Sequence, residues 1–265
     1  MPNTYPPIII PGTEVRILHS TYVDEDYKLF IYLPWEYAES EESYPVLYAL
    51  DGNFNLFRYF WSLPVPPMIV VGIGYATDDY AEQVRRRFRD YHPTQYNYPP
   101  VQEKFQIETL GGGGEHFLSF IRDELIPFIE DQYRTIPTDR SFFGHSSGGA
   151  FGLYTLFNQT DAFNRYVIAA PALFWDDGIC FAYEREYAEK YTDLPVNLYL
   201  AVGTMDESLD EPFVSDLVKF HAILKSRNYE GLDMKLDLLP GEAHMSTIIP
   251  AGQRGVQAIF DVDSP

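Results

Sequence analysis

The chain has 265 residues, 46% of them hydrophobic and 22% charged, which suits one large α/β domain with a sizeable core and excludes wholesale disorder. Lys and Arg number 19 against 39 Asp and Glu, a formal net charge of −20. A field of that sign repels nucleic acid and anionic membrane surfaces, so neither partner is expected.

Residues 1–14, MPNTYPPIIIPGTE, carry no basic n-region, and their apolar run is three isoleucines between prolines. Neither a signal peptide nor a membrane anchor is expected there, and no later stretch reaches about 18 consecutive apolar residues, so a cytoplasmic location is expected. Residues 15–33 (VRILHSTYVDEDYKLFIYL) read as two β segments around the acidic turn VDED. Residues 46–50 (VLYAL) and 68–73 (MIVVGI) are short continuous apolar runs, as expected of strands buried on both faces. Residues 116–133 place Phe117, Phe120, Ile121, Leu125, Phe128 and Ile129 at helical spacing, behind a run of four glycines read as a flexible lead-in. Strands are predicted at 141–145, 166–170, 196–203 and 234–239, and helices at 148–158, 212–227 and 252–260. A β pair followed by β segments alternating with helices predicts a single α/β domain over 1–265, with a mostly parallel central sheet flanked by helices. The pair falls within 1–33, while 76–115 and 171–195 break the alternation and are expected to be loops or small cap segments.

Gly144-His145-Ser146-Ser147-Gly148 is a G-x-S-x-G pentapeptide between an apolar strand and an apolar helix. In that context the serine sits on a sharp turn, its hydroxyl above the sheet and a helix N-terminus behind it. A serine hydroxyl needs a base, and the base an orienting acid. His221 lies inside an amphipathic helix, whereas His244 lies in Pro240-Gly241-Glu242-Ala243-His244, directly after the last strand, where catalytic groups collect in open α/β sheets. His244 is therefore the candidate base. The preceding strand ends in Gly203-Thr204-Met205-Asp206-Glu207-Ser208-Leu209-Asp210-Glu211, where Asp206 is nearest the strand end and Glu207 and Asp210 remain alternatives. Carboxylates before a helix also serve as caps. An acyl-transfer site further needs oxyanion donors, expected from the N–H of Ser147 and from the loop Asp51-Gly52-Asn53, with the Asn53 N–H the first choice.

The segments VLYALDGN, VVGIGY, RRRFRDYHP, GGGGEHFLSFIRDELIPFIEDQYRT, FGHSSGGAFGLY, IAAPALFWDD and LPGEAH together resemble the putative-esterase branch of the α/β-hydrolases. That branch includes enterochelin (siderophore) esterases, esterase D-like enzymes and feruloyl esterases. The similarity runs from about Tyr27 to the C-terminus, and the LDGN and GEAH variants are most similar to the siderophore-esterase side. The resemblance implies the α/β-hydrolase fold, with elaborated loops over the carboxyl edge of the sheet, and ester hydrolysis without a cofactor or metal. It maps Ser146 and His244 onto nucleophile and base, and Asp51 onto a residue bordering the oxyanion loop and the substrate. Family members differ in the acid loop and some work as a Ser–His dyad, which leaves the acid open. The segment holding Arg85, Arg86, Arg87 and Arg89 lies near the active site in the family. Arg87 and Arg89 are thus candidates to hold an anionic or catechol-like group, against a plain surface cluster paired with carboxylates. Trp175 is a candidate aromatic wall, against plain core packing.

The expected function is a serine carboxylic-ester hydrolase working through an acyl-enzyme on a small-molecule ester, of siderophore or aryl type. An acyltransferase of the same fold and a catalytically silent binding scaffold are the alternatives. The sequence carries no signal for an oligomeric state, and the single Cys180 excludes an intramolecular disulfide framework.

Overall fold

A computed structural model of the protein describes residues 10–54, 63 and 65–261, so the expectation for residues 1–9 falls outside it. β1 (Thr13–Ser20) and β2 (Glu25–Tyr32) form an antiparallel hairpin whose turn places Asp24 at φ 57°, a conformation Asp tolerates better than most residues. β3 (Tyr44–Ala49) and β4 (Ile69–Tyr75) are buried along their whole length, as their unbroken apolar runs predict. The segment 76–115 is not an open loop. It contains α1 (Tyr80–Tyr91), capped by the Asp79 side chain, then α2 (Pro99–Phe105) inside a small ribbon of β5 (Gln95–Tyr96) and β6 (Leu110–Gly111).

The glycine run does not supply flexibility either. A β-carbon on Gly111, at φ 83°, would strike the Thr94 carbonyl oxygen, and one on Gly114 would come within 2.6 Å of the Pro93 nitrogen. Glycine is required there because two backbones touch. The helix predicted over 116–133 runs as α3 (Gly114–Phe120), a π-helical turn (Ile121–Leu125) and α4 (Ile126–Gln132). Pro127 lacks an N–H and crowds the carbonyl four residues back, and the widened turn before it absorbs that conflict.

β7 (Thr135–His145), α5 (Ser147–Asn158), β8 (Arg165–Ala169), α6 (Trp175–Ala188), β9 (Asn197–Gly203), α7 (Phe213–Arg227), β10 (Asp233–Leu239) and α8 (Ile248–Ile259) complete the alternation. The helix predicted over 252–260 begins four residues earlier, with Pro250 in the first turn of α8, where its missing N–H has no partner to lose. α6 occupies most of 171–195, kinked at Asp176–Gly178, and buries Cys180 and Tyr187 in the main core.

The central sheet has the order β1-β2-β4-β3-β7-β8-β9-β10. The pairs β1–β2 and β2–β4 are antiparallel and the rest are parallel, so the ends of β3, β7, β9 and β10 face one edge. Side-chain alternation divides the core. Val46 and Tyr48 of β3, with Tyr166 and Ile168 of β8, face the layer of α3, α5 and α7. Leu47, Ala49, Val167 and Ala169 face the opposite layer, where α8 contributes Ala251, Val256 and Ile259. No helix among the described residues is long and apolar enough to cross a membrane.

His92 is buried at the end of α1, its ring stacked 3.5 Å from that of Trp175 and 8° from parallel, with Nε2 unpartnered among the described residues. Burial, reinforced by Arg87, pushes its pKa well below the usual histidine range. In the unfolded chain it titrates near pH 6.5. Above that pH both states are neutral. Below it the unfolded chain takes up a proton that the folded state refuses, so stability is lost as pH falls. The unfolding free energy is expected to drop between pH 7 and pH 5, and His92→Phe, which keeps the ring stack, is expected to reduce that drop by about 1–2 kcal/mol. Chemical denaturation at both pH values measures this, and equal drops in the two proteins would remove His92 as a cause.

Candidate active site

β7 ends at His145 and α5 begins at Ser147, which leaves Ser146 in the turn at φ 59°, ψ −122°. The turn closes because residues 144 and 148 lack side chains: a β-carbon on Gly144 would collide with the Gly148 carbonyl oxygen. Three backbone bonds hold the strained residue. Its N–H donates to the Ala169 carbonyl (3.0 Å), and its carbonyl accepts from the N–H groups of Ala150 (3.0 Å) and Ala172 (3.1 Å).

His244, in the loop after β10, has Nε2 3.0 Å from Ser146 Oγ and Nδ1 2.8 Å from Asp206 Oδ2. A carboxylate only accepts, so Nδ1 carries the proton and Nε2 presents its lone pair to the serine hydroxyl. Asp206 follows β9, is 8% exposed, and its N–H donates to the Gly203 carbonyl at 3.0 Å. The Phe213 ring packs 4.5 Å from the His244 imidazole. The other carboxylates of the loop are engaged elsewhere or solvated. Glu207 accepts from the N–H groups of Val214 (2.8 Å) and Ser215 (3.1 Å) and from the Ser215 hydroxyl, which lowers its pKa and caps α7. Asp210 is exposed.

Of the candidate oxyanion donors, the Ser147 N–H lies in the first turn of α5, where helix geometry leaves donors unmatched. Asn53 lies in a 3₁₀ turn (Gly52–Phe54) beyond β3. Its side-chain amide grips the backbone of Tyr75, donating to the carbonyl (3.1 Å) and accepting from the N–H (2.7 Å), which fixes that turn against the end of β4.

Ser146, His244 and Asn53 open into a cleft of about 240 Å³. Its far wall is aromatic and comes from α1 and α2, through Tyr80, Phe88 and Phe105, with Lys104 at the rim. The segment 76–115 is thus a helical wall of the site. Asp51 and Arg87 also line the cleft, but they bind each other: Arg87 Nε donates to Oδ1 at 2.7 Å and Nη2 to Oδ2 at 3.0 Å. Burial opposes the Arg87 charge, and the Asp51 carboxylate overrides this and raises its pKa.

The structure does not bring Arg89 and Trp175 to the cleft. Arg89 turns away to Glu25 and Asp90. Trp175 is 2% exposed among His92, Phe88, Tyr96 and Tyr98, and its indole N–H donates to the Thr94 carbonyl, so it packs core. His145 is a site residue that pattern reading passes over. Its Nε2 donates to the His244 carbonyl at 2.9 Å, and burial, with His244 and Arg87 nearby, holds its pKa well below the usual range. The only sequence signal was its place as one of the two variable residues of the pentapeptide, next to the serine.

The family model described as "Putative esterase" matches residues 20–228. Ferri-bacillibactin esterase BesA of Bacillus subtilis is 28% identical over 274 aligned residues, covering 97% of this chain and 92% of that protein. Among solved structures, the BES protein from Bacillus cereus superposes with a TM-score of 0.82 at 26% identity, covering 96% of each chain. An IroE-like serine hydrolase from Shewanella oneidensis gives 0.80 at 28% identity, covering 94% of this chain and 80% of that one.

The geometry separates the carboxylates of the acid loop. On a p-nitrophenyl ester, Asp206→Asn is expected to lower kcat by on the order of 10³–10⁴, because an amide at Nδ1 favours the wrong imidazole tautomer. Glu207→Gln is expected to leave kcat within about threefold and to cost about 1 kcal/mol of stability through the weakened cap. The reverse ranking would move the orienting role to Glu207.

Proposed function

The chain belongs to the Putative esterase family of the α/β-hydrolase fold, and from that premise we propose that it hydrolyses carboxylic esters of siderophore type through a Ser146–His244–Asp206 triad. The observation that carries the reading is the paired contact of one imidazole, 3.0 Å from the serine hydroxyl and 2.8 Å from a buried carboxylate. Ser146 Oγ attacks the ester carbonyl while His244 Nε2 takes its proton, and Asp206 stabilises the imidazolium that forms. The N–H groups of Ser147 and Asn53 hold the tetrahedral oxyanion, helped by the positive end of α5. Protonation of the leaving alcohol by His244 yields the acyl-enzyme. Water, deprotonated by the same imidazole, then releases the acid.

The substrate class rests on two supports: the relative named for ferri-bacillibactin, aligned over nearly the whole of both chains, and the aromatic wall of Tyr80, Phe88 and Phe105, which offers flat faces to aryl acyl groups.

Ser146→Ala and His244→Ala are each expected to lower kcat by on the order of 10⁴ or more with the fold intact. A catecholate trilactone is expected to be cleaved with kcat/KM on the order of 100-fold above p-nitrophenyl butyrate, since binding along the aromatic wall adds to the transition state. Near-normal turnover by either folded variant would overturn the triad, and equal kcat/KM values would overturn the substrate class.

A further inference from the structure

Three loops must meet for this chemistry, and they leave the sheet at the ends of different strands: the Asp51–Phe54 turn after β3, the Ser146 turn after β7, and the His244 loop after β10. The sheet fixes where each begins and not where its tip lies. A chain of buried polar contacts joins the three tips. Asp51, at φ 60°, immediately precedes the turn that carries the Asn53 N–H. Its carboxylate takes two bonds from Arg87 of α1, and its N–H donates to the Tyr91 hydroxyl of the same helix at 3.1 Å. Arg87 Nη2 reaches on to the carbonyl of His145, the residue before Ser146, at 3.2 Å. The His145 imidazole then donates to the His244 carbonyl, with the two rings 4.6 Å apart.

One guanidinium therefore bonds both turns that supply the oxyanion donors, and one imidazole bonds the nucleophile turn to the loop of the base. Both Asp51 and Arg87 are largely buried, 14% and 17% exposed in their side chains, so the fork is shielded from water and rigid. A substrate anion would have to displace Asp51 to use the same face of Arg87. On the assignment of Ser146, His244 and the two N–H donors made above, we propose that Arg87 and His145 are positioning residues that lock the oxyanion turn, the nucleophile turn and the base loop into register. Displacements of about 1 Å at such donors cost on the order of 100-fold in rate, which sets the size of the expected effect.

The test measures kcat and KM on p-nitrophenyl butyrate, and inhibition by phenylboronic acid, which forms a tetrahedral adduct on a reactive serine. The variants are Arg87→Lys, Asp51→Asn/Arg87→Met, His145→Leu and His145→Gln, each with its melting curve. Arg87→Lys keeps the buried charge balanced while losing the fork, so it reports even if the double variant fails to fold. Arg87→Lys and His145→Leu are expected to lower kcat on the order of 10²-fold, with KM within about threefold. The boronate inhibition constant should rise as kcat/KM falls. His145→Gln, whose amide N–H has a similar reach, is expected to recover to within about tenfold of the parent. Folded Arg87→Lys and His145→Leu with kcat within threefold, a change confined to KM, or no recovery in His145→Gln would each overturn the proposal. Ser146→Ala, run alongside, keeps the two readings apart: activity surviving there removes the nucleophile itself, whatever the positioning variants do.

Discussion

Ser146 occupies a backbone conformation, φ 59° and ψ −122°, that costs a residue with a side chain on the order of 1–3 kcal/mol and persists only where its surroundings over-determine it. Here the surroundings are the parallel pairing of β7 and β8, which delivers the Ala169 carbonyl to the Ser146 N–H, and the first turn of α5, which uses the Ser146 carbonyl. Two glycines facing each other across the turn make room for it. The site follows from that turn: the hydroxyl stands over the end of the sheet, the helix N-terminus points at it, and the loops after β9 and β10 bring Asp206 and His244 to it.

Charge shapes the site locally and not through the net −20. The arginine cluster of α1 is consumed by neighbours. Arg85 and Arg86 pair with Glu82, and Arg85, Arg86 and Arg89 converge on Glu25 of β2. Burial raises the pKa of the fully buried Asp90, and its bonds from Arg89 and the Tyr27 hydroxyl oppose that shift without cancelling it. These contacts fasten α1 to the hairpin side of the sheet. Since α1 supplies one wall of the cleft and the guanidinium of Arg87, the electrostatics of an apparently peripheral cluster become a constraint on the geometry of the cleft.

The sequence made the order of strands and helices legible because the buried strands are unbroken apolar runs and the helices repeat every three or four residues. The pentapeptide in its strand–helix context pointed to Ser146, and chain order pointed to His244. Nearness to the strand end favoured Asp206, but setting Glu207 aside needed three dimensions, since the two are neighbours that face a histidine and a helix end respectively. The Asp51–Arg87 and His145–His244 contacts span 36 and 99 positions, beyond any local periodicity. Trp175 misled for a related reason: an aromatic after a strand can face a cleft or the core, and His92, whose ring covers it, lies 83 residues upstream. Within 76–115, expected as loop or small cap segments, the individual helices were not legible, because α2 is only seven residues long and because glycines that permit contact look in sequence like glycines that permit motion.

The central claim is that Ser146 is a nucleophile activated by His244. Reaction with a fluorophosphonate, followed by peptide mass spectrometry, tests it most directly, because covalent capture needs a reactive hydroxyl and a formed oxyanion pocket but no knowledge of the natural ester. One equivalent of adduct on Ser146, formed at least about 100-fold more slowly when His244 is alanine, is the result this account predicts. A folded protein that takes up no label, or takes it up on another residue, would contradict it.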